Sequence, residues 1–99
     1  MNTAPIKAEL TTISLDDDYL TLAAASYRTT IPSTIPPSVA VAVIDKVFKP
    51  CFTAGNTGGF YISVAQGIYC FSYEFKSRIT FEDVPQTIEK EVDFSKIDV

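Results

Sequence analysis

Histidine is absent from this 99-residue chain, and that omission excludes more chemistry than any residue present invites. Without an imidazole there is no Ser-His-Asp or Cys-His nucleophile, no histidine general base, and most transition-metal sites are lost. Cysteine is nearly as scarce. Cys51 and Cys70 are the two in the sequence, too few for a disulfide framework and, with no histidine beside them, too few for a zinc site. They read as two small buried hydrophobes in a reducing compartment more readily than as one disulfide. Basic runs are missing as well: no Lys or Arg neighbours another, and the net charge is −4. Nucleic-acid binding by phosphate neutralisation is therefore not expected, and an anionic membrane surface is disfavoured for the same reason. The longest apolar run, Val39-Ala40-Val41-Ala42-Val43-Ile44, is a buried strand at most, and no leader pattern opens the sequence. Neither a membrane span nor a signal peptide is expected.

What the chain does hold is ordinary globular material. Hydrophobic residues make up 46% and charged residues 20%, a balance that folds instead of staying disordered. The length fits a single domain over 1–99, burying somewhat over ~60% of its unfolded surface. Much of the aromatic content, five Tyr and seven Phe in all, is packed between Phe60 and Val84. That concentration marks a core before it marks a binding site.

Within 60–84 the letters predict an antiparallel meander. With Gln66-Gly67 as a two-residue hairpin loop, Val64 faces Tyr69, Ile62 faces Phe71 and Phe60 faces Tyr73, so one sheet face is wholly apolar. The other face carries Ala65–Ile68, Ser63–Cys70 and Tyr61–Ser72. Directly opposed residues share a face, and a slip by one residue would turn the aromatic set to the other side. A second turn at Lys76-Ser77-Arg78 sets Phe75 against Ile79 and Tyr73 against Phe81, which predicts a third strand.

The remaining segments are less explicit. Met1 to Leu10 looks like an extended arm, and Glu9 to Leu15 is rich in strand-favouring Thr and Ile with imperfect alternation. Asp16-Asp17-Asp18 interrupts. It is either the N-cap of a helix over Tyr19 to Arg28 or the loop of a hairpin; the strand is preferred because strands dominate elsewhere. Thr29 to Ser38 is a Pro/Thr/Ser connection in which Pro32, Pro36 and Pro37 fix φ and cannot donate to a ladder. It is expected to cross the surface as a polyproline-like link or to lie on a partner. Ser38 to Phe48 places Val39, Val43 and Val47 at helical spacing, yet its β-branched content favours strand. Thr53 to Gly59 is a loop. After Pro85, Gln86 to Glu91 fits one helical turn, and Val92 to Val99 alternates well enough to close the sheet. The expected class is mainly β: a small antiparallel β-sandwich or β-barrel with an extended N-terminal arm and at most one short helix.

No segment carries a catalytic constellation. Gly55-Asn56-Thr57-Gly58-Gly59 lacks the Lys of a phosphate-binding loop and the spacing of a dinucleotide fold, so a turn is the better account. Asp16-Asp17-Asp18 lacks the spacing and bidentate Glu of a calcium loop. Glu82-Asp83 and Glu89-Lys90-Glu91 are charges on a solvated face, with no pair set for acid–base work. The expectation is a non-enzyme without a cofactor.

The stretch Phe75-Lys76-Ser77-Arg78-Ile79-Thr80-Phe81-Glu82-Asp83-Val84, with the ending Asp93 to Val99, resembles the C-terminal part of the lambda-type head decoration proteins. So does the plan of a small acidic β chain with a long irregular N-terminal portion. The turn here is shorter than that family's and lacks its glycine. The resemblance implies a trimeric knob that docks on a phage capsid and cements neighbouring subunits. Separately, Thr57-Gly58-Gly59-Phe60 and Gly67-Ile68-Tyr69-Cys70-Phe71-Ser72-Tyr73 look like the central strands of C1q/TNF-type trimeric jelly rolls, although too little chain follows Val84 for the rest of such a domain. The resulting expectation is a virion structural protein made in the host cytoplasm. It would bind the major capsid protein or other virion subunits and self-associate as a dimer or trimer. Its contacts would come from Pro5, Ile6 and Leu10 of the arm and from Ile31, Pro32, Ile35, Pro36 and Pro37. The alternatives are a trimeric recognition head for a carbohydrate or protein ligand, and an acidic inhibitor of a host enzyme.

Overall fold

A computed structural model describes residues 3–15, 17, 22–52, 57–76, 79 and 81–96. The chain is mainly β. Five strands, β1 (Thr3–Leu15), β2 (Leu22–Pro32), β3 (Thr57–Ala65), β4 (Ile68–Phe75) and β5 (Thr87–Asp93), form one sheet in the order β3-β4-β2-β1-β5. All four neighbouring pairs are antiparallel. Where a sandwich or barrel would place further strands over the core, a helical segment covers this single sheet. That segment opens with α1 (Pro37–Val43) and continues without a break through a π-helical turn at Ile44–Phe48 and a 3₁₀ turn at Lys49–Cys51.

The β3–β4 hairpin has the register read from the sequence: Val64 opposes Tyr69, Ile62 opposes Phe71, and Phe60 opposes Tyr73. Its turn sets both Gln66 (φ 54°) and Gly67 (φ 77°) in the left-handed region. This is the turn form whose twist matches the flanking strands. Among the described residues the expected third strand does not form. Residues 77, 78 and 80 lie outside the described residues, Phe81–Asp83 form a 3₁₀ turn, and β4 pairs on its other side with β2. Ile79 accepts a backbone hydrogen bond from Leu22 (2.9 Å), and Ile79 and Val84 are buried, so the aliphatic residues of this stretch serve as core cover.

The N-terminal arm is likewise a correction. From Thr3 the chain runs inside the sheet, between β2 and β5, with Ile6 and Ala8 buried. Pro5 fits an interior strand because its missing N–H would point toward β2, on the same side as Lys7 N–H, which donates to Thr30 Oγ1 (2.9 Å). Regular β1–β2 pairing extends only from Ala8–Thr29 onward, so no ladder bond is lost there. The imperfect alternation of Glu9 to Leu15 is a β-bulge. Leu10 pairs with Tyr27 and Thr12 with Ser26, leaving Thr11 unpaired. The extra residue switches the inward parity from Ile6, Ala8 and Leu10 to Ile13.

The segment predicted as a strand over 39–48 is the helical layer. Pro36 and Pro37 are not a free link: Pro37 occupies the first helical turn, where its missing N–H costs nothing. Ala40, Val43, Ile44 and Phe48 then fall on one face and are fully buried, so the burial of an amphipathic face overrides the β-branched propensity of the valines. Pro50 follows in the 3₁₀ turn that ends the segment. The Gln86–Glu91 stretch, expected as a helical turn, is mostly β5. Only Val92 and Asp93 of the expected closing strand belong to that element; Phe94–Lys96 form a 3₁₀ turn and 97–99 lie outside the described residues.

The core lies between the sheet and the helical layer. Phe71 stacks on Tyr27 (5.1 Å, 11°), on Phe48 of the helix (5.4 Å) and on Phe60 (5.5 Å). Each such ring contributes about 1.5–3 kcal/mol by burial, with ~0.5–1.5 kcal/mol more from each well-placed ring pair. Two tyrosines tie connections to the sheet through their hydroxyls, Tyr69 to the Ile35 carbonyl (2.8 Å) and Tyr27 to that of Pro85 (2.5 Å).

Candidate functional site

The pleat sends alternate residues away from the helical layer and so builds a second face. Lys7, Glu9, Arg28, Ser63, Glu74 and Glu89 all lie exposed on it. Opposite charges sit across from each other, Lys7 against Glu89 and Glu9 against Arg28. Beside them, toward β3, run small side chains, with Ser26 opposite Ser72 and Ser63 opposite Cys70. Small residues on adjacent strands leave a level surface. The whole molecule measures 47 × 26 × 20 Å, a slab with this face on one side.

Two irregularities indent the face. The Thr11 bulge lies on β1, and a register shift separates Arg28 and Pro32 on β2. They open a shallow notch of about 340 Å³ lined by Glu9, Leu10, Thr11, Arg28, Thr29, Thr30 and Ile68. The shift is held by buried Thr29, whose hydroxyl accepts from Ile31 N–H (3.0 Å) and donates to the Tyr69 carbonyl (2.8 Å). Thr11 and Thr30 are also engaged, with the Ser26 carbonyl and Lys7 N–H respectively. The notch therefore offers a carboxylate, a guanidinium and an apolar floor, which suits polar recognition. Among the described residues no group of three or more acidic or cysteine side chains is placed to hold a metal ion. Cys51 and Cys70 are free thiols.

At the rim, β3 is an edge strand. Tyr61 and Val64 are its most open large hydrophobics, 57% and 53% exposed. The Tyr61 ring folds back over Gly59, where a Cβ would come within 2.7 Å of its hydroxyl. Hydrogen bonding to the Glu74 carboxylate pushes the Tyr61 hydroxyl pKa up. Inside the core, burial raises Tyr27 to about 12 and moves Tyr73 upward too. The Tyr27 and Tyr73 hydroxyls feel each other electrostatically, yet Tyr73 Oη makes no well-formed hydrogen bond among the described residues.

The contact residues expected from the sequence are divided by this geometry. Ile6 (4% exposed) and Ile31 (0%) belong to the core and are closed to a partner, while Leu10 and Ile35 are half-buried. Pro5, Pro32, Pro36 and Pro37 are exposed, the last three at the turn from β2 into the helix. The open face and its notch escaped sequence reasoning, although the broken alternation around Thr11 was their visible trace. No helix among the described residues is long and apolar enough to cross a membrane. No protein-family model, curated protein or solved structure matches this chain.

Proposed function

We propose that this protein is a non-enzymatic structural component of a virion, a decoration or cement protein that binds and stabilises a capsid shell. The observation that carries the reading is the open, level sheet face, with paired charges and small side chains across the strands. Such a face suits contact with another broad protein surface, and the exposed Pro32, Pro36 and Pro37 corner extends it. The arm contacts first expected are replaced by this face, because Thr3–Leu10 is committed to the sheet. Many copies on a shell gain from multivalency, so modest contacts per copy suffice.

The test is co-sedimentation with tailed-phage capsids stripped of their decoration, scored by saturable binding and by resistance of the loaded shell to heat. Lys7→Glu combined with Arg28→Glu reverses the two cations of the face and is expected to abolish binding while the circular dichroism spectrum stays unchanged. Folded protein that never sediments with shells would refute the proposal.

The notch favours a second reading, a recognition module for a carbohydrate or other polar ligand held by Glu9 and Arg28. Glycan-array binding abolished by Arg28→Ala would select it over shell decoration.

A further inference from the structure

The two edges of the sheet differ in kind. β5 carries Glu89, Lys90, Glu91 and Asp93, charges that blunt an edge against pairing. β3 has no charged residue from Thr57 through Gln66 and no proline, so it retains the features of an edge open to another strand.

Which backbone groups of β3 are free follows from the turn. A two-residue loop closes on a hydrogen-bonded pair, here Ala65–Ile68. Ladder bonds then alternate, so Ala65, Ser63 and Tyr61 bond to β4, and the N–H and C=O groups of Val64, Ile62 and Phe60 point outward. The Tyr69 carbonyl agrees with this parity: it turns to the Thr29 hydroxyl on β2, as an odd-numbered β4 residue must. The outward backbone groups thus belong to the residues whose side chains lie on the helix side of the sheet.

We infer that β3 is a self-pairing edge, and that two copies of this chain join antiparallel through it about a two-fold axis at Ile62. In that register Ile62 of each copy exchanges both backbone bonds with its mate. Phe60 of one copy opposes Val64 of the other, covering the exposed valine with an aromatic ring, and Tyr61 opposes Ser63. Opposed residues share a sheet face, so parity is kept on both sides. The register is self-complementary, which suits a second copy, and charge selects this edge over β5. Each copy is acidic (−4), so copies repel unless they meet on uncharged surface. Self-pairing of β5 about Lys90 would set lysine on lysine and Glu89 on Glu91. The helix flank above β3 adds to the seam: Lys49 lies over the Phe60 ring at 5.5 Å and pairs with Asp45 (3.5 Å), and Val41, one turn before Asp45, is exposed. The inference stands apart from shell binding, which uses the open face.

The experiment is native mass by light scattering across a dilution series, for the full chain and three variants. The wild type is expected to reach 21.8 kDa (2 × 10.9 kDa). Val64→Lys, at an exposed position, is expected to give 10.9 kDa at every concentration. Val64→Pro removes one outward N–H and no internal ladder bond, and should do the same. Thr87→Lys on the other edge should leave the dimer intact. A wild type that stays monomeric when concentrated, a trimer, a dimer indifferent to both Val64 variants, or a dimer lost with Thr87→Lys would each overturn the inference. Shell binding is read separately with the monomeric Val64→Lys protein, so failure of one proposal is distinguishable from failure of the other.

Discussion

The Tyr27 hydroxyl donates a 2.5 Å hydrogen bond to the backbone carbonyl of Pro85, 58 residues away in sequence. This bond fastens the long connection between β4 and β5 onto the central strand of the sheet. Tyr27→Phe keeps the ring stack and removes only the bond, so it should cost about 1–2 kcal/mol. The midpoint of urea unfolding should fall with an unchanged slope; an unchanged midpoint would show that Pro85 is not held by Tyr27.

Alkaline stability follows from the same residue. Burial raises the Tyr27 pKa from 10.0 to about 12, and that of Tyr73 rises too. A folded state that holds these protons more tightly than the unfolded chain has their full contribution below pH 10; it loses that of Tyr27 as pH climbs from 10 to 12, and that of Tyr73 goes on falling at higher pH. Tyrosinate absorbance, compared with that of Tyr27→Phe and Tyr73→Phe, should show Tyr27 and Tyr73 ionising only together with loss of structure. Ionisation of Tyr27 or Tyr73 below pH 11 in folded protein would contradict the buried placement.

Thr29→Val replaces a buried hydroxyl by a methyl group of similar volume. It strips a partner from Ile31 N–H and from the Tyr69 carbonyl at once. The expected loss is about 1–3 kcal/mol, with Thr29→Ser much milder because both bonds survive. Equal effects from the two variants would remove the hydroxyl from the account of this strand irregularity.

Gln66 holds a positive φ of 54° beside Gly67 at 77°, a place where asparagine or glycine is at ease and glutamine is not. Gln66→Asn should stabilise by about 0.5–1 kcal/mol, and Gly67→Ala should destabilise by at least about 1 kcal/mol. Calorimetric melting temperatures would move in opposite directions. A destabilised Gln66→Asn protein would argue against this turn.

The β3–β4 hairpin was legible because a two-residue loop and an aromatic alternation pin the same register independently. Its strand-rich surroundings set the class correctly too. What stayed hidden depended on tertiary context. The Val39–Val47 stretch has strand-like residues on a helical period, and only the core waiting beneath Ala40, Val43 and Phe48 decides between them. Pro36-Pro37 is the same signal for a link and for a helix start. Glu89-Lys90-Glu91 looks like a solvated helical turn until the segment is found paired residue for residue with β1. Ile6 and Ala8 alternated correctly in a segment read as an arm, since nothing local announces that two strands flank it. At the open face, the Glu9–Arg28 pair is a product of β1–β2 register across a bulge, which the sequence cannot count unaided.

Amide hydrogen exchange along β3 tests the free edge most directly. In dilute protein the amides of Tyr61, Ser63 and Ala65 should exchange slowly and those of Phe60, Ile62 and Val64 quickly, and concentrating the sample should slow the second set alone. The reverse alternation, or six amides that all exchange quickly whatever the concentration, would show that this strand does not lie as described.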